Sequence, residues 1–284
     1  MHQLYIPLFV GIKARNVERV FGMNVFLYIM IFIAGTVFGS FFSLAVYRIP
    51  RKENIVYVQS HCTTCNHKLY FWDLIPILSY LFLRGRCRYC HDKIRCRYIL
   101  LEIFSGLVFV LVANSMHIHI FSSIMDFMML FCVYLWIAGV FIVGGIDKEK
   151  YLIPDVLCLY LCLISCFHLI LLGLIKCSVI DNMVGFLAIP AVLALINLVY
   201  RMDQTKEEPI GWGDIKYFSV IGLFMGFGAQ LLVFPLSLFI AGIGKVVHKY
   251  QKIPWGFYLS IASVVVLIVE HWIPETMNLI SIGK

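Results

Sequence analysis

Two aspartates and four cysteines are the residues whose types and spacing could do chemistry. Asp147 closes an apolar run in Gly144-Gly145-Ile146-Asp147, and Asp214 opens another in Gly211-Trp212-Gly213-Asp214-Ile215-Lys216. Ionisable groups in or beside apolar spans are costly, so they are functional candidates by default. Two carboxylates that meet across helices can share one proton. One then acts as a base toward water while the other donates to a scissile carbonyl. Like charges that close push the two titrations apart, so the apparent pKa values belong to the pair. The glycines around Asp214 let a backbone segment come close to an extended substrate. Asp155, after Ile153-Pro154, reads as a helix N-cap. Asp147 and Asp214 read as solvated interfacial ends if they do not meet. Glu102, Asp126 and Glu270 lie near other span ends.

The cysteines point to a metal. Cys62-Thr63-Thr64-Cys65 and Cys87-Arg88-Tyr89-Cys90 are two CxxC pairs with 21 residues between them, the spacing of a four-thiolate zinc site. Four thiolates complete a tetrahedron and leave no position for a catalytic water, so the expected metal is structural. The opposing reading is two unrelated redox or structural pairs. His61, His67 and His91 flank the pairs and are expected to be solvated. Cys158, Cys162 and Cys166 form a stripe on one helical face, and Cys96, Cys132 and Cys177 are isolated. All six read as small packing residues.

These groups are positioned by an apolar chain. Of 284 residues, 61% are hydrophobic and 14% charged, too little polar surface to cover a soluble core. Runs of 18 or more nearly uncharged residues recur, each able to cross a hydrocarbon layer of about 30 Å. The expected fold is an all-α polytopic membrane protein of about eight transmembrane helices. The expected spans are 25–47, 98–116, 126–146, 152–174, 178–200, 216–227, 229–247 and 256–273. The stretch from Ile215 to Val247 is too long for one helix, and Gly226-Phe227-Gly228 is the expected break. A seven-helix alternative fuses the spans on either side.

Lys and Arg set the orientation. The loop 48–97 carries ten of them against three acids, Glu53, Asp73 and Asp92. With that loop in the cytoplasm, alternation through eight spans puts 18 of the 23 basic residues inside. Lys13, Arg15, Arg19, Lys176 and Lys284 stay outside. Asp147, Asp155 and Asp214 then share the cytoplasmic side, where thiols are kept reduced and metal ligation is favoured over disulfides. The net charge of +7 sits mostly on this loop, where it suits anionic lipid headgroups, and no nucleic-acid partner is needed to account for it. The resulting division is an extracytoplasmic segment 1–24, a first helix 25–47, a zinc-binding loop 48–97, a transmembrane core 98–273 and a tail 274–284. The first helix reads as uncleaved. On the residues alone three functions stay open: intramembrane acid–base chemistry, a proton- or metal-coupled transporter with a zinc-regulated gate, and an anchor whose cysteine module recruits a partner.

Several motifs together resemble one family. Phe38-Gly39-Ser40-Phe41-Phe42 through Tyr47-Arg48-Ile49-Pro50, Asp73 through Tyr80, Leu83 through Cys90, Arg97-Tyr98, Asp147 with Ile153-Pro154-Asp155, and Gly211 through Lys216 are similar to the signatures of the type IV prepilin peptidases. These are the leader peptidases of pili, type II secretion pseudopilins and competence pseudopilins. The resemblance covers roughly 35–260. It implies a membrane aspartyl endopeptidase of the Gly-x-Gly-Asp type in the bacterial cytoplasmic membrane, with Asp147 and Asp214 as catalytic pair and Asp155 a structural neighbour. It implies cleavage of a short basic leader from prepilins or pseudopilins at the cytoplasmic face. It also implies S-adenosylmethionine-dependent N-methylation, a second activity that the cysteine loop typifies. No glycine-rich Rossmann turn marks a site for that cofactor. Ser43, Thr63, Cys96 and Ile99 depart from the family's common residues. None of the departures touches the aspartates or the four cysteines.

Overall fold

The computed structural model describes residues 14–54, 59–119, 121–175, 179–202, 209–248 and 252–282. Lys13, Lys176, Cys177, Lys206, Lys249 and Lys284 lie outside them. Among the described residues the chain is helical throughout, apart from its first loop: α1 (Ala14–Arg48), α2 (Leu78–Phe82), α3 (Arg97–Ser115), α4 (Ile124–Lys150), α5 (Asp155–Leu174), α6 (Ile180–Met202), α7 (Trp212–Met225), α8 (Phe227–His248) and α9 (Trp255–Ile282). Six helices are long and apolar enough to cross a membrane: α1, α3, α4, α5, α6 and α8. With α7 and α9 they make the eight expected helices, and α2 is a short helix inside the loop.

Three helix ends differ from expectation, at α1, α9 and α5, and the break between α7 and α8 falls where it is expected. α1 begins at Ala14 and not at 25, because Ala, Arg, Val and Glu sustain a helix beyond its apolar stretch. α9 continues to Ile282, through most of the expected tail. α5 begins at Asp155, since Pro154 lacks an N–H and occupies the N-cap position. Asp155 is therefore the first helical residue, not the cap. α7 and α8 are separate helices, and the break falls at Gly226, whose φ of 89° suits glycine alone.

α7 has only 14 residues, about 21 Å of helix. It crosses the centre of the bundle, packed against α5, α6, α8 and α9. Ile215, Tyr217, Phe218, Val220, Ile221, Leu223 and Phe224 are all buried, so apolar side chains face neighbours on every side. Gly185 and Gly222 let α6 and α7 meet backbone to backbone, the close approach small residues permit in membrane bundles. α4 is the second central helix, packed against α1, α5 and α9. Its Trp136 stacks on Phe224 of α7 with ring centres 4.5 Å apart. α1 and α3 form a pair on the flank of α4.

Candidate active site and metal centre

The C-terminal end of α4 and the N-terminal ends of α5, α7 and α9 gather at one end of the bundle. α4 brings Asp147 there, 5% exposed. Its Oδ2 accepts the Phe257 backbone N–H at 3.0 Å. The Gly256 backbone N–H stands close enough to Asp147, and to Asp214 from α7, to favour the charge of each. The charge of Asp147 acts directly on Asp214. The first turn of α9 thus supplies an otherwise unpaired N–H donor to Asp147, as helix N-termini do for anions. Asp214 Oδ1 is buried and has no hydrogen-bond partner among the described residues.

Glycines make room for this meeting. A Cβ on Gly256 would lie 2.8 Å from Ile153 Cδ1 and 3.1 Å from Asp147 Oδ2. A Cβ on Gly211 would lie 2.9 Å from Asp214 Oδ2. Gly256 and Phe257 escape sequence reading, since a backbone N–H carries no residue signature. The only hint is the Pro254-Trp255-Gly256 start of an apolar run. Beneath them Ser260 donates to the Gly256 carbonyl at 2.8 Å and meets the Tyr217 hydroxyl at 2.8 Å, tying α9 to α7.

The other acids stand apart from this pair. Asp155 is exposed and pairs with Lys216 Nζ at 2.9 Å, bracing α5 to α7 beside the site. Asp126 caps the opposite end of α4 through Ser123. Glu102 accepts the Ile77 backbone N–H at 2.7 Å, joining the first loop to α3. The described acids therefore do not line a route through the bundle, as a transporter relay needs.

The four cysteines come together in that loop. Their sulfurs all lie within 4.8 Å of one another, with Cys62 and Cys90 at 3.9 Å. Tetrahedral zinc with bonds of about 2.3 Å places its sulfurs about 3.8 Å apart, so the cluster fits. The two knuckles repeat each other. Cys62 N–H bonds the His67 carbonyl as Cys87 N–H bonds that of Asp92. Asn66 N–H returns to Cys62 as His91 N–H returns to Cys87, and both turning residues have positive φ, 56° and 59°. Leu69 N–H bonds the Ser60 carbonyl as Ile94 N–H bonds that of Gly85. Thr64 ties one knuckle to the other through Asp92, at 2.6 Å.

The electrostatics of the cluster favour a cation. Burial raises the Cys62 thiol, but the N–H groups of Cys65 and Thr64 and the nearby thiols outweigh it and lower it to about 6. The Asp92 N–H lowers the Cys90 thiol, yet burial and the thiols of Cys87, Cys65 and Cys62 push it up to about 12. One thiolate forms readily and the next is resisted, until a metal supplies positive charge. Asp73 braces the module. Burial raises its carboxyl, but the Tyr70 N–H, Arg88 and the Tyr89 hydroxyl together hold it below the usual carboxylate range. His61, His67 and His91 are exposed, as expected, and His67 stacks on Tyr89 with ring centres 3.6 Å apart. Among the packing cysteines, Cys132 and Cys158 are buried, but Cys96 and Cys166 are exposed. Cys96 lies at the N-cap of α3, where the chain leaves the loop, and this takes it out of the core.

Comparison with known proteins separates the same two parts. The Bacterial Peptidase A24 N-terminal domain matches residues 33–116, and the Type IV leader peptidase family matches 134–246. A Prepilin leader peptidase/N-methyltransferase from Aeromonas salmonicida is 27% identical over 298 residues, covering 92% of this chain and 98% of its own. One from Aeromonas hydrophila is 28% identical, covering 90% and 95%. One from Stutzerimonas stutzeri is 30% identical over 270 residues, covering 83% and 88%. No solved structure matches the chain.

Proposed function

The chain belongs to the type IV prepilin leader peptidase family, and on that premise we propose that it cuts the basic leader from prepilins or pseudopilins and methylates the new N-terminus. The observation that carries the reading is the meeting of Asp147 and Asp214 at one end of the bundle, close enough for their charges to interact, with Asp147 held by the first turn of α9. We propose these two as the catalytic pair.

The pair holds one proton between its carboxyls. A water enters beside Asp214 Oδ1, the oxygen left without a protein partner. The ionised carboxylate takes a proton from that water as its oxygen bonds the scissile carbonyl carbon. The protonated carboxyl donates to the carbonyl oxygen. In the collapse the C–N bond breaks, the proton gained from water leaves on the amine, and the other carboxylate takes a hydroxyl proton back from the tetrahedral carbon as its C=O reforms, so the pair regains its single proton. The Phe257 backbone N–H holds Asp147 in place through both steps.

The remaining assignments follow from this. The catalytic end faces the cytoplasm, the side of the basic loop 48–97. A prepilin then lies with its apolar segment in the bilayer and its leader at the dyad. Cys62, Cys65, Cys87 and Cys90 hold a structural zinc, which supplies charge to bind four thiolates and staples the loop. The module is joined to the core 98–273 through Glu102 and Ile77. S-adenosylmethionine supplies the methyl group for the second activity. Mass spectrometry of a prepilin co-expressed with the chain tests the reading. The prepilin is expected to lose its leader and gain one methyl group. An intact prepilin refutes the peptidase assignment, and a cut but unmethylated one refutes the second activity.

A further inference from the structure

The loop carries a face that neither the metal cluster nor the carboxylate pair uses. A 3-10 turn, Phe71–Asp73, packs beside α2, and the two present Tyr70, Phe71, Trp72, Leu78, Leu81 and Phe82 outward. Phe71 is 75% exposed, Trp72 70% and Phe82 84%. In water such a patch is a liability for association. Its composition, aromatic rings beside leucines, is that of side chains favoured at the edge of a bilayer.

Two observations set the level of this face. The Ile77 backbone N–H, one residue before α2, bonds the buried Glu102 carboxylate at 2.7 Å. Glu102 is five residues into α3, about 7.5 Å along its axis from Arg97, and helical side chains lean back toward the N-terminus. The start of α2 is therefore level with the first turns of a membrane-spanning helix. Ile77 holds φ at 61°, unfavourable for a β-branched residue, so the bond to Glu102 fixes an otherwise disfavoured path. The flank of α3 at that level is itself exposed and apolar, at Leu100, Leu101 and Phe104. The charge beside the patch agrees. Arg84 and Arg86 follow α2 directly and are exposed, and Lys68 and Lys93 sit on the knuckles.

We propose that α2 and the Phe71–Asp73 turn form an interfacial anchor. The apolar side chains enter the headgroup and upper acyl region of an anionic phospholipid bilayer, while Arg84 and Arg86 meet its phosphates. The cysteine module is thereby held flat on the membrane beside α3. Interfacial amphipathic segments bind by this sum of buried apolar area and attraction to anionic lipid.

The test is photocrosslinking of the full chain. Phe82 is replaced by p-benzoyl-phenylalanine, and in a second variant Trp72 is. Thr63, exposed on the first knuckle, serves as the reference position. Each protein is irradiated in phosphatidylglycerol–phosphatidylethanolamine vesicles, and adducts are read by mass spectrometry. Lipid adducts at Phe82 and Trp72 are expected on the order of tenfold above those at Thr63, the partition expected of a large apolar side chain. Their yield is expected to fall in phosphatidylcholine vesicles. Lipid adducts no more abundant than at Thr63, or adducts chiefly to a second copy of the chain, overturn the proposal. An equal yield in phosphatidylcholine overturns its anionic part. With a prepilin present, adducts moving from lipid to the prepilin assign the face to substrate instead.

Discussion

Asp147 and Asp214 are 67 positions apart in sequence, yet Gly256 of α9 comes close to both carboxylates. The side chain that glycine lacks is what allows it. Gly256→Ala places a methyl group 3.1 Å from Asp147 Oδ2 and 2.8 Å from Ile153 Cδ1, so α9 must retreat from the pair. Prepilin cleavage is expected to fall about 10²-fold, the usual effect of an ångström-scale misplacement at a reacting centre. Initial-rate assays in membranes check it, and near-normal cleavage means the close approach of α9 at Gly256 is dispensable. The aspartates were legible in sequence because an acid at the end of an apolar run is rare and costly. Gly256 was not, because its contribution is a main-chain group and an absence of bulk. Asp155 was misread for a related reason: proline before it suggested a cap, while its partner, Lys216, comes from a helix distant in sequence.

At the scale of elements, the first loop folds around its cysteines. Without a metal one thiol of the cluster ionises easily and another strongly resists it. Cys62→Ser is therefore expected to abolish metal binding, from about one zinc per chain to none, and to loosen the loop. Metal analysis with hydrogen exchange over 59–96 reads both. Asp73 gives the loop a pH dependence. Its carboxyl lies below the usual range in the folded chain, so its contribution is complete above the ordinary carboxylate value. It is lost as pH falls through the lower, folded value. Hydrogen exchange of the zinc-loaded protein should show the loop opening at acid pH, and Asp73→Asn should open it already at neutral pH. The CxxC spacing pointed to the four cysteines that come together. The duplicated knuckle stayed hidden, because its matching hydrogen bonds run between main-chain groups and its turning residues, Asn66 and His91, differ.

Across the whole molecule, the four helix ends that build the site come from three connections, α4 to α5, α6 to α7 and α8 to α9, and α7 fits among its neighbours because it is short. Its 14 residues span about 21 Å, short of a hydrocarbon layer of about 30 Å, and longer helices pack around it. That places a polar pair where neighbouring protein, not lipid, surrounds it, which is the condition for irregular and ionisable groups at membrane depth. The number and order of helices were legible from the apolar runs, and the break at Gly226 from its glycines. The central place of α7 was not, since hydropathy reports that a segment is buried but not whether lipid or protein buries it. The account rests on the two aspartates acting together. Asp147→Asn and Asp214→Asn keep the shape of each side chain and remove the acid. Mass spectrometry of a prepilin co-expressed with each variant tests that claim directly. Cleavage is expected to fall by at least about 10²–10⁴-fold for either one, with zinc content unchanged. A prepilin cut at the wild-type rate by either variant would contradict the account.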